Sequence, residues 1–210
     1  MRANMARDDR RSGWRAQGTH LGSARRFWQH GRMGHPRPPR RLAPADLKGA
    51  ALDYLDRFAA TRARLRQVML RKIRNSARVH GDDPAPLLAA LEETIQWLES
   101  SGFLSDRAYA EARARTLSAR GTSRAHILAN LASKGVAPEA ARAAVEHLSM
   151  EVQEPELEAA RRYARRRRLG PYRAADEARA GSRDRDLAAM ARAGFAGRIA
   201  RQIIDAEREA

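Results

Sequence analysis

Residues 182–205, SRDRDLAAMARAGFAGRIARQIID, lie over residues 123–146, SRAHILANLASKGVAPEAARAAVE, at an offset of 59 without a gap. Nine of the twenty-four positions are identical. Abundant alanine inflates that figure, but Gly135 on Gly194, Leu131 on Met190, Val136 on Phe195 and Val145 on Ile204 owe nothing to it. A second offset, of 62, lays TRARLRQVMLRK (61–72) on SRAHILANLASK (123–134), with Thr61 on Ser123, Arg62 on Arg124, Leu65 on Ile127 and Met69 on Leu131. Three related copies at about 60-residue spacing specify a tandem array. A unit of that size holds about three helices and cannot bury its apolar faces alone, so neighbours must stack. The expectation is an all-α fold: an elongated tandem array of three three-helix repeats at 46–102, 103–153 and 154–210. A disordered Arg-rich N-terminal tail, residues 1–45, precedes it.

Inside the repeats the apolar spacing is helical. Leu47, Ala51, Tyr54, Leu55 and Phe58 share one face, and Thr61 is placed to cap a helix carrying Leu65, Met69 and Ile73. A third helix, 85–100, presents Leu88, Leu91, Ile95 and Leu98. It meets the corner Gly102-Phe103-Leu104-Ser105-Asp106. Glycine there can turn left-handed to end the helix, and Phe103 and Leu104 are expected to plug the core. Ser105 is an N-cap, and Asp106 suits the positive end of the next helix dipole. That helix buries Tyr109, Ala110, Ala114 and Leu117. RGTSR (120–124) then starts a helix with Ile127, Leu128 and Leu131, and SKGVAPE (133–139) one with Ala141, Ala144, Val145 and Leu148. Residues 156–169 form another, and AGSRD and RAGFAG bracket the last two. No alternating β-branched run signals a strand.

The chain carries a formal charge of +16, and residues 1–45 hold eleven Arg, no Lys and two Asp. Such a balance favours a polyanionic partner, although an Ala- and Arg-rich composition also arises without any function. There is no cysteine, which excludes disulfides and thiolate metal sites. No run of about 20 apolar residues predicts a transmembrane helix, and the first residues lack the apolar stretch of a secretory signal. A cytoplasmic location, no membrane partner and a monomeric state are expected.

The corner Gly102-Phe103-Leu104-Ser105-Asp106, followed by Tyr109-Ala110, resembles the RecX family of regulatory proteins. Three further stretches are similar to that family: the Ser-Arg…Leu…Lys-Gly-Val segment, the closing Arg-Ala-Gly-Phe with its Ile-rich helix, and the opening ALDYLDRF…TRARL (51–65). The resemblance covers about 46–208. Ser105 stands where the family usually carries an acidic or amide residue, and keeps the capping role; the Arg-rich tail lies outside the resemblance. What it implies is a cytoplasmic α-helical modulator without catalytic residues. Such a protein binds RecA recombinase and its filament on single-stranded DNA, and restrains filament growth, ATP hydrolysis and strand exchange.

The residues themselves offer no active site. The six histidines are scattered, with no His-x-x-x-His pair. Glu92-Glu93 reads as a solvated face, and no Gly-rich loop follows a strand. No metal and no cofactor is expected. Tyr54, Trp97 and Tyr109 read as core positions rather than base-stacking platforms. The candidates for contact with protein or nucleic acid are basic: Arg62, Arg66, Arg71, Lys72 and Arg74 on the second helix; Arg124, Lys134 and Arg183 at matching repeat positions; and Arg165 and Arg168 in RRYARRRR. Recurrence of Arg62, Arg124 and Arg183 suggests a stripe along a concave face. The competing reading is that each pairs with a local carboxylate. A sequence-nonspecific nucleic-acid-binding helical protein without filament preference is the alternative function. A helix-turn-helix regulator is disfavoured, because no second helix carries a set of base-reading side chains.

Overall fold

The computed structural model describes residues 40–174 and 181–207. Nine α-helices and one 3-10 turn, and no strand, make up these described residues. They are α1 (Asp46–Arg57), α2 (Arg62–His80), α3 (Ala85–Ser100), α4 (Asp106–Ala119), α5 (Arg124–Ser133), α6 (Pro138–Glu151), α7 (Pro155–Arg167), the 3-10 turn Gly170–Tyr172, α8 (Arg183–Arg192) and α9 (Gly197–Ile204).

Local chemistry sets most of these boundaries. Thr61, Ser105 and Ser123 each accept, through the side-chain oxygen, from the backbone N–H three residues on, at 3.1, 3.2 and 3.4 Å. Pro138 and Pro155 open α6 and α7, where the missing N–H costs nothing. Gly102, Gly135 and Gly194 take φ of 76°, 78° and 79° just after helix ends, the left-handed region that a Cβ disfavours.

The helices bury three apolar clusters. Leu47, Leu65, Met69, Ile73, Leu91, Ile95 and Leu98 fill the first, among α1, α2 and α3, and Leu104 reaches back to close it. Ala110, Ala114, Ile127, Leu131, Val136, Ala144 and Val145 form the second. Leu157, Ala160, Ala164, Met190, Phe195, Ile199, Ile203 and Ile204 form the third. A buried Leu, Ile, Val, Met or Phe side chain contributes about 1.5–3 kcal/mol, and each cluster holds several.

Three apolar expectations fail. Phe58 is 54% exposed, because α1 ends at Arg57 and the chain turns extended at Phe58. Leu88 is exposed while its neighbour Leu87 is buried, a one-residue rotation of the α3 face. In the corner only Leu104 is a plug; Phe103 is 58% exposed and stacks on Trp97, with ring centroids 5.7 Å apart. The tail expectation divides. Residues 1–39 lie outside the described residues, but residues 40–45 bind the first helical group. Leu42 N–H donates to Ser76 Oγ at 3.0 Å, and Arg41 Nε to Asp82 at 2.9 Å.

The same joint connects the first group to the second and the second to the third. Thr61 Oγ1 donates to the Lys134 carbonyl at 2.6 Å, and Ser123 Oγ donates to the Ala193 carbonyl at 2.6 Å. The Arg62 N–H donates to Asp106 at 2.7 Å, and the Arg124 N–H donates to Glu156 at 2.7 Å. The donors Thr61 and Ser123, the donors Arg62 and Arg124, and the acceptors Lys134 and Ala193 are related by the sequence repeat; Asp106 and Glu156 are not, and each comes from the start of the next group's first helix. The N-terminus of one group's second helix is thus satisfied by a carboxylate from the first helix of the next. Gly135 and Gly194 permit the close approach: a Cβ on Gly135 would lie 2.4 Å from Ala63 Cβ, and one on Gly194 2.7 Å from Ser123 Oγ. In the third copy the position of Ala63 and Ala125 is Asp184, with a 98% exposed side chain.

Candidate functional site

The basic residues divide into engaged and unengaged sets. Arg62 Nη1 lies 2.9 Å from Glu99, and Arg66 Nε lies 2.7 Å from Glu92, which also stands 3.9 Å from Arg62. Glu92 is therefore an ion-pair partner on a solvated face, its side chain 40% exposed. Arg183 chelates Asp205 at 2.7 and 2.8 Å, and this bond raises the guanidinium pKa. So Arg62 and Arg183, two members of the recurrent arginine set, face local carboxylates. Exposed pairs of this kind are weak because water and salt screen them, so their cations are not withdrawn from a competing partner.

Arg124, the third member, lines a cavity of about 210 Å³ between the second and third groups, with Arg198, Glu154 and Glu156. Burial pushes the Glu156 carboxyl up, against the lowering effect of the Arg124 N–H it accepts. On α7, Arg165 and Arg168 border a groove with Arg161, Tyr172 and Arg173, and the Arg165 guanidinium sits 5.4 Å from the Tyr172 ring. Arg168 adopts a left-handed φ of 53° at the end of α7, an uncommon conformation for a residue with a Cβ.

Arg71, Lys72, Arg74 and Lys134 are exposed, and none has an ion pair or side-chain hydrogen bond among the described residues. Arg71 and Arg74 line a groove on α2 with Arg64 and Gln67. Lys134 lines a second groove, over the first joint. Arg64 belongs to both grooves, and sequence reasoning did not single it out. Its signal was available: Arg64, Arg71 and Arg74 recur at helical spacing on the face of α2 opposite Leu65, Met69 and Ile73.

One ionisable residue is buried where the repeat calls for an aliphatic one. Asp186 aligns with Ile127 and is 1% exposed. It accepts from Gly170 N–H at 2.8 Å and pairs with Arg173 at 2.5 and 2.9 Å. Burial pushes its carboxyl up, but these bonds outweigh that and hold it below the usual carboxylate range. The pair ties α8 to the 3-10 turn. It lies in the packing of the third group and is a structural element.

Among the described residues, no group of three or more His, Asp or Glu could hold a metal ion, and no helix is long and apolar enough to cross a membrane.

Residues 105–145, which hold α4, α5 and most of α6, match the family described as "RecX, second three-helix domain". The chain is 42% identical over 170 residues to the Regulatory protein RecX of Myxococcus xanthus (strain DK1622), covering 81% of this chain and 90% of that protein. The chain belongs to the RecX family. A RecX protein of Agrobacterium fabrum (strain C58 / ATCC 33970) is 32% identical over 159 residues, covering 75% and 80% of the two chains. The corner that carried the resemblance is thereby placed: in this RecX member Ser105 caps α4, and Asp106 caps α2 of the preceding helical group.

Proposed function

We propose that this chain is a negative regulator of RecA recombinase. It binds RecA and its filament on single-stranded DNA and restrains filament growth, ATP hydrolysis and strand exchange. The observation that carries this reading is the 42% identity across nine-tenths of a Regulatory protein RecX. Arg71, Lys72, Arg74 and Lys134, exposed and unpaired among the described residues, support it, since a filament presents carboxylates and phosphates to such cations. Several modest contacts spread along a repeat array sum through multivalency. The protein works in the cytoplasm as a monomer and has no catalytic chemistry of its own.

The test is to mix the purified chain with RecA, ATP and single-stranded DNA and follow ATP hydrolysis. Inhibition at substoichiometric amounts, including against preformed filaments, is expected. Inhibition only when the chain is abundant enough to coat the DNA would favour a nonspecific nucleic-acid binder instead.

A further inference from the structure

The surface over the first joint has a composition that the second joint lacks. Tyr54, Phe58 and Tyr109 line a groove of about 640 Å³, together with Arg64, Gln67 and Lys134. Among the described residues, no Asp or Glu lines it. Phe58 is more than half exposed, and its ring lies 5.2 Å from that of Tyr54. Arg64 and Gln67 also line the adjoining groove along α2, which continues to Arg71 and Arg74 and again has no carboxylate. The two grooves meet at Arg64 and Gln67, which line both, so together they carry four cations, with three aromatic rings in one of them. Arg64 to Arg74 spans ten residues of α2, about 15 Å at 1.5 Å per residue. At the second joint the repeat offset puts Arg120 in the place of Phe58 and Thr116 in the place of Tyr54. The rings are thus not a requirement of the joint.

An exposed ring on a soluble chain stays wet unless something covers it. The covering group here must be flat enough for an aromatic face and must carry negative charge along one side. A nucleotide strand meets both needs, with a base against Phe58 and phosphates along Arg64, Arg71, Arg74 and Lys134. A duplex does not, because its bases are stacked on each other and present only their edges. We infer that the trough formed by Phe58, Tyr54, Arg64, Lys134, Arg71 and Arg74 is a single-stranded DNA site that stacks a base on Phe58. This rests on the reading that the chain acts on single-stranded DNA, and it adds where and how the strand is held.

The experiment uses the full chain without RecA. Fluorescence anisotropy compares a labelled oligothymidylate with an abasic oligonucleotide of the same length and with a duplex. The wild type should prefer oligothymidylate. Phe58→Leu keeps an apolar contact with Tyr54 but removes the ring face; it should weaken oligothymidylate binding about ten-fold and abolish the preference over the abasic strand. Phe58→Trp should retain that preference. Arg71→Ala with Arg74→Ala should lower the salt slope by about 0.7 per cation while leaving the preference intact. Equal wild-type binding of thymidylate and abasic strands, or an unchanged preference in Phe58→Leu, overturns the inference. Tighter binding of the duplex overturns it too, as does binding of an acidic peptide in place of any oligonucleotide. RecA inhibition is read separately: a chain that inhibits RecA but shows no base preference keeps the proposed function and loses this site. A chain with the base preference but no effect on RecA does the reverse.

Discussion

The Thr61 hydroxyl donates to the Lys134 carbonyl at 2.6 Å across 73 residues of sequence, while also accepting from the Arg64 N–H at 3.1 Å. Ser123 repeats both bonds, to Ala193 and from His126. A single hydroxyl therefore caps its own helix and locks its group to the next. Removing it leaves a half-buried helix N–H and a half-buried carbonyl without this partner. Thr61→Val and Ser123→Ala should each cost about 1–2 kcal/mol, and Thr61→Ser should be close to neutral. Urea denaturation of the full chain measures this; a Thr61→Val midpoint equal to wild type would show that the joint tolerates the loss.

Glycine substitutions separate backbone strain from close packing. Gly102, Gly135 and Gly194 share a left-handed φ, but a Cβ at Gly102 meets nothing within 4 Å. Gly102→Ala should cost about 1 kcal/mol from conformation alone. Gly135→Ala should cost clearly more, because its Cβ would stand 2.4 Å from that of Ala63 and the joint must open. The ranking of denaturation midpoints, with Gly102→Ala the mildest, is the measurement.

Asp106 is partly exposed at the start of α4, yet it accepts from the Arg62 N–H at 2.7 Å. Asp106→Asn keeps an acceptor oxygen and should lose only a few tenths of a kcal/mol. Asp106→Ala should lose about 1 kcal/mol, as an N-cap does. Amide hydrogen exchange should locate the difference at the first turn of α2; equal protection there in Asp106→Ala and wild type would refute the cap.

Asp186 makes stability acid-sensitive. Its carboxyl titrates below the usual range in the folded chain. The stabilisation it supplies is therefore present above the unfolded value of about 3.9 and is lost as pH falls through the lower folded value. Asp186→Asn should remove that part of the acid dependence. Asp186→Ala leaves the Gly170 N–H without its acceptor and the partly exposed Arg173 guanidinium without its partner, and should cost about 1–3 kcal/mol. Thermal melts from pH 7 to pH 3 follow both effects, and parallel profiles for Asp186→Asn and wild type would refute the assignment.

Charge reversal distinguishes the unengaged cations from the paired ones. Arg71→Glu with Arg74→Glu should weaken inhibition of RecA-dependent ATP hydrolysis about ten-fold or more at low salt and leave the melting temperature near wild type, since neither residue has a partner among the described residues. Arg62→Glu should destabilise the fold slightly, because it faces Glu99 and Glu92. Its effect on inhibition cannot be read until that loss is measured.

The sequence by itself determined the helices, most of their starts and stops, the threefold repetition and the family. Those features rest on short-range chemistry: a hydroxyl three residues before an N–H, a glycine that turns left-handed, an apolar residue every three or four positions. The candidate basic residues were legible as cations for the same reason. What the tertiary structure decided depends on which distant groups meet. It paired Arg62, Arg66 and Arg183 with carboxylates while leaving Arg71, Lys72, Arg74 and Lys134 unpaired among the described residues. It turned Asp106 from an ornament of its own helix into the cap of another. It put Phe58 and Phe103 in solvent although their spacing reads as core, because α1 stops one residue short and the corner needs only Leu104 to seal it. It also seated Asp186 where the repeat carries Ile127, a substitution that is stable only because Arg173 and the Gly170 N–H lie within hydrogen-bond reach. No local pattern encodes those distances, since each is set by how one three-helix group stacks on the next or folds on itself.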